Sequence, residues 1–443
     1  GDPMPGGLAA NLSNPDEAVV RGSAWALGVI GTDAAVQALT AGLKGGGTAP
    51  DACRRVLHWL GPRSARGGQA VPPGALAPLA LADIGERWLD RYGDLVITVS
   101  EPFVISRREA QPERGAHARP RLFRLSGGLL LAFDRMDGDE GPEGPAALLR
   151  SGDGGRTWQD VTLPLPRVDA VLATTARVVR LWDRHAFEKA PGVYAVPMCV
   201  SEDGGGSFGA LLEAALARPG TPPLRTLSAL RAQPYAANGS TSSRRYSAGL
   251  RGNVVQCANG SLLAAAETRG EGDGQTRCVS YRSTDGGMSW TGEATIAGDG
   301  SAEPALAGLA DGRIVAMADD LAAGALVLAW STDGGQSWIG PVRSGAPGAA
   351  PSCCLASGGV LACSYTQDGP RLMFSVAPDA KRWTDRIRPV AADAGAGRGY
   401  TSIAEAAPGR LLLVYDAVSR ADDHSGRTAA VMGCEVSVRR ATP

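Results

Sequence analysis

The sequence lacks a long apolar run and an excess of charge of either sign. No window reaches the roughly 18 consecutive apolar residues that a bilayer-spanning helix needs. The 44 basic and 45 acidic residues give a formal net charge of −1, whereas a nucleic-acid-binding domain normally carries a basic excess. We therefore expect neither a membrane nor a nucleic acid among the partners of this chain.

The sequence also begins without a basic segment followed by an apolar one, the pattern of a secretory signal. Met4, after Gly1-Asp2-Pro3, resembles a native start behind a tag remnant. The beginning of the chain therefore predicts a cytoplasmic protein, or a secreted one if the N terminus has been trimmed.

Potential metal ligands are few and scattered. The sequence has eight cysteines and four histidines, and it contains no Cys-x-x-Cys pair. This spacing does not match a zinc ligand set. We expect reduced, buried thiols, no metal and no cofactor.

Aromatic residues are scarce at 5%, whereas glycine and proline are abundant, with 60 and 30 residues. Both residues weaken the interior of a helix. The apolar content of 44% is too high for a disordered chain. The composition therefore excludes a mostly helical protein and predicts many short strands joined by turns.

Four octapeptides share the pattern Ser-x-Asp-Gly-Gly-x-Ser/Thr-aromatic. They begin at Ser151, Ser201, Ser283 and Ser331, and a degenerate fifth copy runs from Ser375 to Trp383. In such a turn the aspartate caps backbone N–H groups, the glycines take positive φ and the aromatic ring packs beside the strand. We interpret these segments as Asp-boxes. Their spacing is typical of four-stranded propeller blades, and we expect them to be structural rather than catalytic.

A second repeated element precedes the turns, namely a glycine that opens an apolar strand. It occurs six times, at Gly128, Gly192, Gly260, Gly312, Gly359 and Gly409. We interpret each as the start of the second strand of a blade, and residues 93–106 as a segment that pairs with the last blade to close the ring. The sequence thus predicts a mainly β protein, with a six-bladed β-propeller over residues 93–440.

Residues 1–90 have a different pattern. Apolar residues at helical spacing, including Val20, Leu27, Val36 and Leu43, indicate α-helices. The segment resembles one HEAT-like helix pair, and a solenoid needs about three repeats to be stable alone. We therefore expect this small helical segment to dock on the propeller or on a protein partner.

The repeat also predicts where a site lies, because the beginnings of first strands and the ends of second strands meet at one end of a propeller. Counting nine residues back from each strand-opening glycine gives Arg119, Asp183, Arg251, Glu303, Ala350 and Tyr400. The ends of the second strands add Asp134, Glu267, Asp319 and Asp416, and the following loops add Asp137, Asp139, Arg269 and Arg371. This concentration of polar residues predicts a binding mouth, although a solvated rim is the alternative.

Within this set, Tyr400 and Glu303 suggest a nucleophile and its base. A tyrosine with a free pKa of about 10 becomes nucleophilic when a carboxylate takes its proton. A neutral phenol suits an anionic substrate, because arginines such as Arg119 and Arg371 can hold a substrate carboxylate in a bidentate manner. Asp139 or Asp137 is then a candidate general acid and base.

The combined pattern resembles the sialidase (neuraminidase) superfamily. The similarity rests on the four octapeptides, the arginine before Gly128-Leu-Leu-Leu-Ala-Phe133, Glu303-Pro304, and Tyr400-Thr-Ser before Gly409. It covers about residues 93–440. The resemblance implies a retaining exo-glycosidase with Tyr400 as nucleophile, Glu303 as its base partner and Asp139 as acid and base. It also implies that Arg119 and Arg371 belong to a three-arginine clamp.

The sequence departs from the family in the clamp. The middle arginine is expected where this chain has Ala318-Asp319-Asp320, and Arg119 and Arg121 compete for the first position. Arg251 or Arg269 is a candidate replacement. Asp183, Glu267, Asp319 and Asp416 are further candidate substrate contacts, and Asp416 stands where the family commonly has glutamate.

Three functions remain open at this point. The first is a sialidase-like hydrolase acting on a sialic-acid-like or other sugar. The second is another enzyme on the same propeller, such as an arabinanase-like exo-glycosidase or a biosynthetic tailoring enzyme that uses Tyr400 and Glu303 as acid and base. The third is a propeller that binds a small molecule or glycan without catalysis.

Overall fold

The computed structural model describes most of the propeller and part of the N-terminal segment. The described residues are 4–16, 19–20, 23–24, 27, 33–47, 49–50, 52–53, 57, 90–92, 95–107, 115–137, 146–161, 170–173, 178–181, 187–190, 193–210, 212–217, 247–269, 275–376, 380, 383–384, 387–389, 399–418 and 429–440. Within these ranges no helix has the length and apolarity required to cross a bilayer.

The N-terminal segment contains helices in its described part, which lies within residues 4–57. The helices with both ends described are α1 (Met4–Asn11) and α2 (Asp33–Gly42). They share a small apolar core with Leu27, Cys53 and Leu57. A HEAT-like segment is not supported, because the described helical residues form this one cluster and not the stacked repeats that define such a solenoid.

The rest of the described chain is almost entirely antiparallel β-sheet. The first sheet has ten strands and contains both ends of the ring: β1 (Asp90–Tyr92), β2 (Leu95–Val99), β3 (Phe103–Arg107), β4 (Gly115–Leu125), β5 (Gly128–Asp137), β6 (Ala146–Ser151), β7 (Gln159–Asp160), β24 (Thr401–Ala407), β25 (Arg410–Val418) and β26 (Ala429–Arg440).

A nine-stranded sheet follows along the chain and divides into two blades. One blade comprises β8 (Ala170–Ala173), β9 (Val178–Leu181), β10 (Phe187–Ala190), β11 (Val193–Ser201) and β12 (Leu212–Ala217), and the other β13 (Ser247–Gln256), β14 (Leu262–Arg269), β15 (Thr276–Ser283) and β16 (Ser289–Ala297). The two blades are joined by short parallel pairings, β12 with β16 and β8 with β13.

Two smaller sheets complete the ring. The four-stranded blade contains β17 (Ser301–Gly308), β18 (Ile314–Asp320), β19 (Ala325–Ser331) and β20 (Ile339–Pro347). The three-stranded blade contains β21 (Ala349–Leu355), β22 (Leu361–Thr366) and β23 (Pro370–Ser375).

The propeller therefore has five blades in the part of the chain that the structure describes, and the prediction of six is wrong. The reason lies at the junction of the ring. Strands of the first and last repeats share the ten-stranded sheet, because Ala116 of β4 pairs with Ala429 of β26. The predicted closure by residues 93–106 is confirmed, since β2 and β3 both pair with β26.

The apolar cores lie between neighbouring repeats. One cluster joins Leu129 and Phe133 of the first repeat to Leu412 and Val414 of the last. Another joins Leu263 of β14 to Ile314 of β18. Each repeat thus depends on its neighbours for the burial of its sheet faces.

The octapeptide turns have the geometry predicted from their sequence. In the first, Oδ1 of Asp153 accepts the N–H of Arg156 at 3.0 Å and that of Thr157 at 2.9 Å. The indole of Trp158 donates to the carbonyl of Gly155 at 3.0 Å. The same aspartate bonds recur in the other turns, at Asp203, Asp285 and Asp333.

All eight cysteines are free thiols in the structure, and six of them are buried. Burial raises the pKa of the Cys53 thiol to about 11. A raised pKa keeps such a thiol protonated and unreactive near neutral pH.

The packing of one turn against the preceding blade yields a stability prediction. Gly335 has φ of 81°, and a Cβ at this position would lie 2.3 Å from Cδ1 of Leu263. Gly312 has a similar φ of 85° but no atom within 4 Å of an added Cβ. We expect Gly312→Ala to cost about 1 kcal/mol through backbone strain alone. Gly335→Ala should cost about 1 to 3 kcal/mol more, because Leu263 must move within a packed core.

The measurement is the free energy of unfolding from urea titrations of both variants. Equal losses for the two variants would show that the turn does not pack against Leu263 as described.

Candidate functional site

A pocket lies where the first strands of several repeats begin. It is a cavity of about 50 Å³, and a second cavity of about 210 Å³ shares Phe123, Asn253 and Cys353 with it. The first cavity is lined by residues of four repeats and of β13: Pro120, Arg121, Leu122, Phe123, Asn253, Glu303, Pro304, Ala305, Ala350, Pro351, Ser352, Cys353, Tyr400, Thr401 and Ser402. Two of the predicted catalytic residues, Glu303 and Tyr400, therefore border one cavity.

The first strands are bulged at the pocket. Arg119, Glu303 and Ala350 have φ of 54°, 47° and 52°, in the left-handed region. Each is followed by a proline, and the pairing with the second strand skips both residues in β4, β17 and β21. A bulge of this kind redirects a side chain away from the sheet. The nine-residue count therefore identified the bulges, although it gave no sign of their conformation.

Left-handed backbone costs a residue with a side chain about 1 to 2 kcal/mol, so the surroundings must stabilise it. At the junction of the ring, Asp416 of β25 supplies this support. Its Oδ2 accepts the N–H of Arg119 at 3.0 Å and its Oδ1 accepts the N–H of Tyr400 at 2.6 Å. One carboxylate thus holds the backbone of the predicted nucleophile and of the predicted clamp arginine.

The same contact occurs in two other repeats. Both carboxylate oxygens of Asp319, at the end of β18, accept the N–H of Ala350, at 2.9 and 3.1 Å. Oε2 of Glu267, at the end of β14, accepts the N–H of Glu303 at 3.3 Å. These three carboxylates, predicted to contact substrate, bind the backbone of the following repeat.

Burial raises the pKa of Asp416 to about 6, and the hydrogen bonds from the N–H groups of Arg119 and Tyr400 oppose that shift. Asp416 is only 7% exposed. Desolvation is the dominant effect, because water cannot solvate the negative charge that forms when a buried carboxyl group ionises.

The guanidinium of Arg119 lies over the ring of Tyr400, with Cζ 5.6 Å from the ring centroid. Its Nη1 is 3.6 Å from Oδ2 of the buried Asp134. A guanidinium at this distance is attracted to the face of an aromatic ring. Of the two arginines that compete for the first clamp position, Arg119 contacts Tyr400, and Arg121 lines the cavity.

Hydroxyl groups line the cavity between these residues. The Ser402 hydroxyl accepts the N–H of Leu122 at 3.0 Å and lies 3.1 Å from the hydroxyl of Ser352. The side-chain amide of Asn253 donates to the carbonyl of Cys353 at 3.2 Å. These bonds connect first strands of different repeats.

Several of these lining residues were not identified from the sequence, although a signal existed. They stand two residues after positions that the nine-residue count identified, and alternate residues of a strand share a face. Extending the nine-residue count by two positions finds Arg121, Asn253, Ala305, Ser352 and Ser402, all of which line the cavity.

The structure describes the remaining predicted site residues only in part. Arg371 is the second residue of β23. Its Nε donates to the carbonyl of Gln367 at 2.9 Å. Arg251 lies in β13 beside a register shift, but its side chain is outside the described part, as are those of Asp137 and Arg269. Asp139 and Asp183 lie outside the described residues altogether.

No metal centre is found among the described residues, where no three His, Cys, Asp or Glu side chains are arranged as metal ligands. The arrangement instead combines a phenol, carboxylates and a guanidinium around a cavity. Such a set can bind an anionic group and move protons.

Comparison with known proteins agrees with this architecture. A BNR repeat-like domain matches residues 236–411. No curated protein matches the sequence.

Three solved structures share the fold. A protein of unknown function from Dyadobacter fermentans is 20% identical, with a TM-score of 0.57, over 77% of this chain and 99% of that one. A Hadza microbial sialidase is 16% identical, with a TM-score of 0.52, over 73% and 66%. The intramolecular trans-sialidase from Ruminococcus gnavus, in complex with oseltamivir carboxylate, is 14% identical, with a TM-score of 0.51, over 74% and 96%. Residues 236–411 therefore resemble a BNR repeat-like domain, and the chain shares the fold of these structures.

The raised pKa of Asp416 predicts a pH-dependent stability. Because the folded-state pKa of about 6 exceeds the ordinary aspartate pKa of 3.8, the folded protein binds this proton more tightly than the unfolded chain does. The stabilisation that this proton gives the folded protein is fully present below about pH 4 and is lost as the pH rises through about 6. Relative to Asp416→Asn, the wild-type free energy of unfolding should fall by about 3 kcal/mol between pH 4 and pH 7.

Urea titrations of both proteins across this pH range provide the measurement. Asp311→Asn is a control of opposite sign, because the hydrogen bond from Arg313 lowers the pKa of Asp311. A wild-type-to-Asp416→Asn difference that rises with pH would contradict the prediction.

Proposed function

We propose that this protein is a sialidase-like exo-glycoside hydrolase that acts on a sugar bearing a carboxylate. The observation that carries the proposal is the grouping of three side chains. Tyr400 and Glu303 border one cavity, and the Arg119 guanidinium lies over the Tyr400 ring. A cation at this position stabilises negative charge on the phenol oxygen or on a bound carboxylate.

In the proposed first step, Oη of Tyr400 attacks the anomeric carbon while the Glu303 carboxylate takes the phenolic proton. The bond from the anomeric carbon to the leaving oxygen breaks, and Asp139 gives that oxygen a proton. The product of this step is a glycosyl–tyrosine intermediate.

In the second step, water attacks the same carbon and gives a proton to Asp139. The bond to Tyr400 breaks, and Glu303 returns the proton to its oxygen. Two displacements at one carbon retain its configuration.

The proposed clamp for the substrate carboxylate comprises Arg119 and Arg371, with Arg251 in place of the missing middle arginine. Asp183 completes the set of proposed substrate contacts. Support for a carboxylate ligand comes from the Ruminococcus gnavus structure, which contains oseltamivir carboxylate. We also propose that the four octapeptide turns are Asp-boxes.

A second candidate follows from the uncharged sector of the cavity around Ala350. Here the bulge carries only a methyl group, and Asp319 binds its N–H. A neutral glycoside therefore fits this sector better than a second charged group does. In this alternative, Tyr400 and Glu303 act as acid and base on a sugar without a carboxylate.

The nucleophile is tested with a fluorogenic sialoside and a pair of matched variants. Tyr400→Phe removes the attacking oxygen, so release of the fluorophore should fall to background. Tyr415→Phe makes the same change in the adjacent strand, at a buried hydroxyl without a hydrogen-bond partner among the described residues. It should leave activity unchanged. Glu303→Gln should lower kcat by about 10²- to 10⁴-fold.

Equal activity in wild type and Tyr400→Phe would contradict the proposed chemistry. Release from a neutral arabinoside but not from the sialoside would favour the second candidate. Binding without release from either substrate would favour a non-catalytic propeller.

The clamp is tested with Arg119→Met. Loss of a charge-assisted bidentate contact should raise KM for the sialoside by about ten- to a hundredfold. A neutral glycoside should be affected much less. Arg343→Met serves as the control, because Arg343 is exposed on β20 and pairs with Asp320. An equal change in KM for both classes of substrate would argue against a carboxylate clamp.

A further inference from the structure

We propose that Glu267, Asp319 and Asp416 are positioning residues, each of which fixes the pocket-lining bulge of the next repeat through its backbone N–H. This inference rests on the proposed function only where it concerns activity. The positioning itself is a property of the fold and can be measured in a protein without a known substrate.

The three contacts share one geometry. Each carboxylate stands at or just before the end of the second strand of its repeat, in β14, β18 or β25. Each accepts an N–H from the bulge residue that begins the first strand of the following repeat: Glu303, Ala350 and Arg119. Asp416 makes this contact across the junction of the ring, from the last repeat to the first.

The bulge explains why a carboxylate is needed. The bulge residue and the proline after it are skipped by the pairing of first and second strands. The N–H of the bulge residue therefore has no partner in that pairing, and a buried N–H without a partner is strongly disfavoured. A carboxylate from the neighbouring repeat supplies the acceptor and fixes the left-handed conformation.

That conformation determines where the side chains lie. A return of the bulge to extended backbone would change the position of Glu303 in the cavity wall and would move Arg119 from the face of the Tyr400 ring. Asp319 and Asp416 are only 4% and 7% exposed, so neither is a surface group that exchanges partners freely. They act on the pocket through the backbone rather than through contact with the reacting atoms.

The three residues differ in the number of N–H groups that each carboxylate binds. Glu267 contacts Glu303 N–H through Oε2, and Asp319 directs both oxygens at one N–H. An amide side chain keeps one acceptor oxygen, which is enough for a single N–H. Glu267→Gln therefore preserves its contact, and Asp319→Asn preserves one of its two contacts once its NH₂ group turns away from the Ala350 N–H. Asp416 directs one oxygen at each of two N–H groups. Asp416→Asn therefore places an NH₂ donor against a backbone donor.

Hydrogen exchange followed by mass spectrometry tests this pattern in peptides that contain Arg119, Glu303, Ala350 or Tyr400. In Glu267→Met and Asp319→Leu, exchange should accelerate by about tenfold at Glu303 and Ala350 respectively, the effect expected for one lost hydrogen bond. Glu267→Gln and Asp319→Asn should exchange at the wild-type rate. Asp416→Asn should lose protection at Arg119 or Tyr400 despite being an amide variant.

Glu405→Gln is the matched control. Glu405 is a buried carboxylate that accepts the N–H groups of Ser357 and Gly409 and not that of a bulge residue. Its amide variant should leave hydrogen-exchange protection unchanged in the peptides that contain Arg119, Glu303, Ala350 and Tyr400. If an apolar variant does not fold, the contrast among the amide variants still decides the question. Equal protection in all the variants would overturn the proposal. So would an equal loss of protection in Glu267→Gln, Asp319→Asn and Asp416→Asn.

An activity measurement separates this inference from the proposed function. On the fluorogenic sialoside, Asp416→Asn should lower kcat about tenfold or more, while Glu267→Gln and Asp319→Asn should remain close to wild type. A wild-type protein that does not cleave the sialoside would count against the proposed function, and the exchange pattern would still stand. An active protein in which exchange and kcat do not change together would count against positioning.

Discussion

The site depends on one interaction, in which a carboxylate of one repeat accepts a backbone N–H of the next. The repeats are otherwise joined mainly by apolar contacts, which tolerate small shifts because they are not directional. A hydrogen bond to a carboxylate is directional and short. It therefore constrains the position of each bulge, and the backbones of Arg119, Glu303 and Tyr400 are held by such bonds.

This arrangement changes the meaning of the acidic residues near the mouth. Asp319 stands where the resemblance places the middle clamp arginine, and an aspartate with its charge free in the cavity would repel an anionic substrate. Its two oxygens instead face the Ala350 N–H, so part of its charge is balanced by a backbone dipole within the wall. The charged side chains that line the cavity are then Arg121 and Glu303, with the hydroxyls of Ser352 and Ser402 between the strands.

Much of the architecture could be predicted from repetition in the sequence. The strand-opening glycines and the octapeptide turns identified the strands, and the nine-residue count found the bulges at Arg119, Glu303 and Ala350. The number of blades could not be obtained in this way, because the pairing of Ala116 with Ala429 joins strands that are distant in the sequence. The role of Asp416 was also hidden, since a pattern of residue types does not distinguish a carboxylate that binds substrate from one that binds backbone.

The junction of the ring has a consequence for biosynthesis. Tyr400, Arg119 and the carboxylate that connects them come from opposite ends of the propeller sequence. β26 follows all of them and pairs with β2, β3 and β25. A chain still emerging from the ribosome therefore holds Arg119 long before its partners exist. The part of the site that joins Arg119 to Tyr400 therefore assembles only after the last repeat has been synthesised, whereas the contacts of Glu267 and Asp319 lie within earlier repeats.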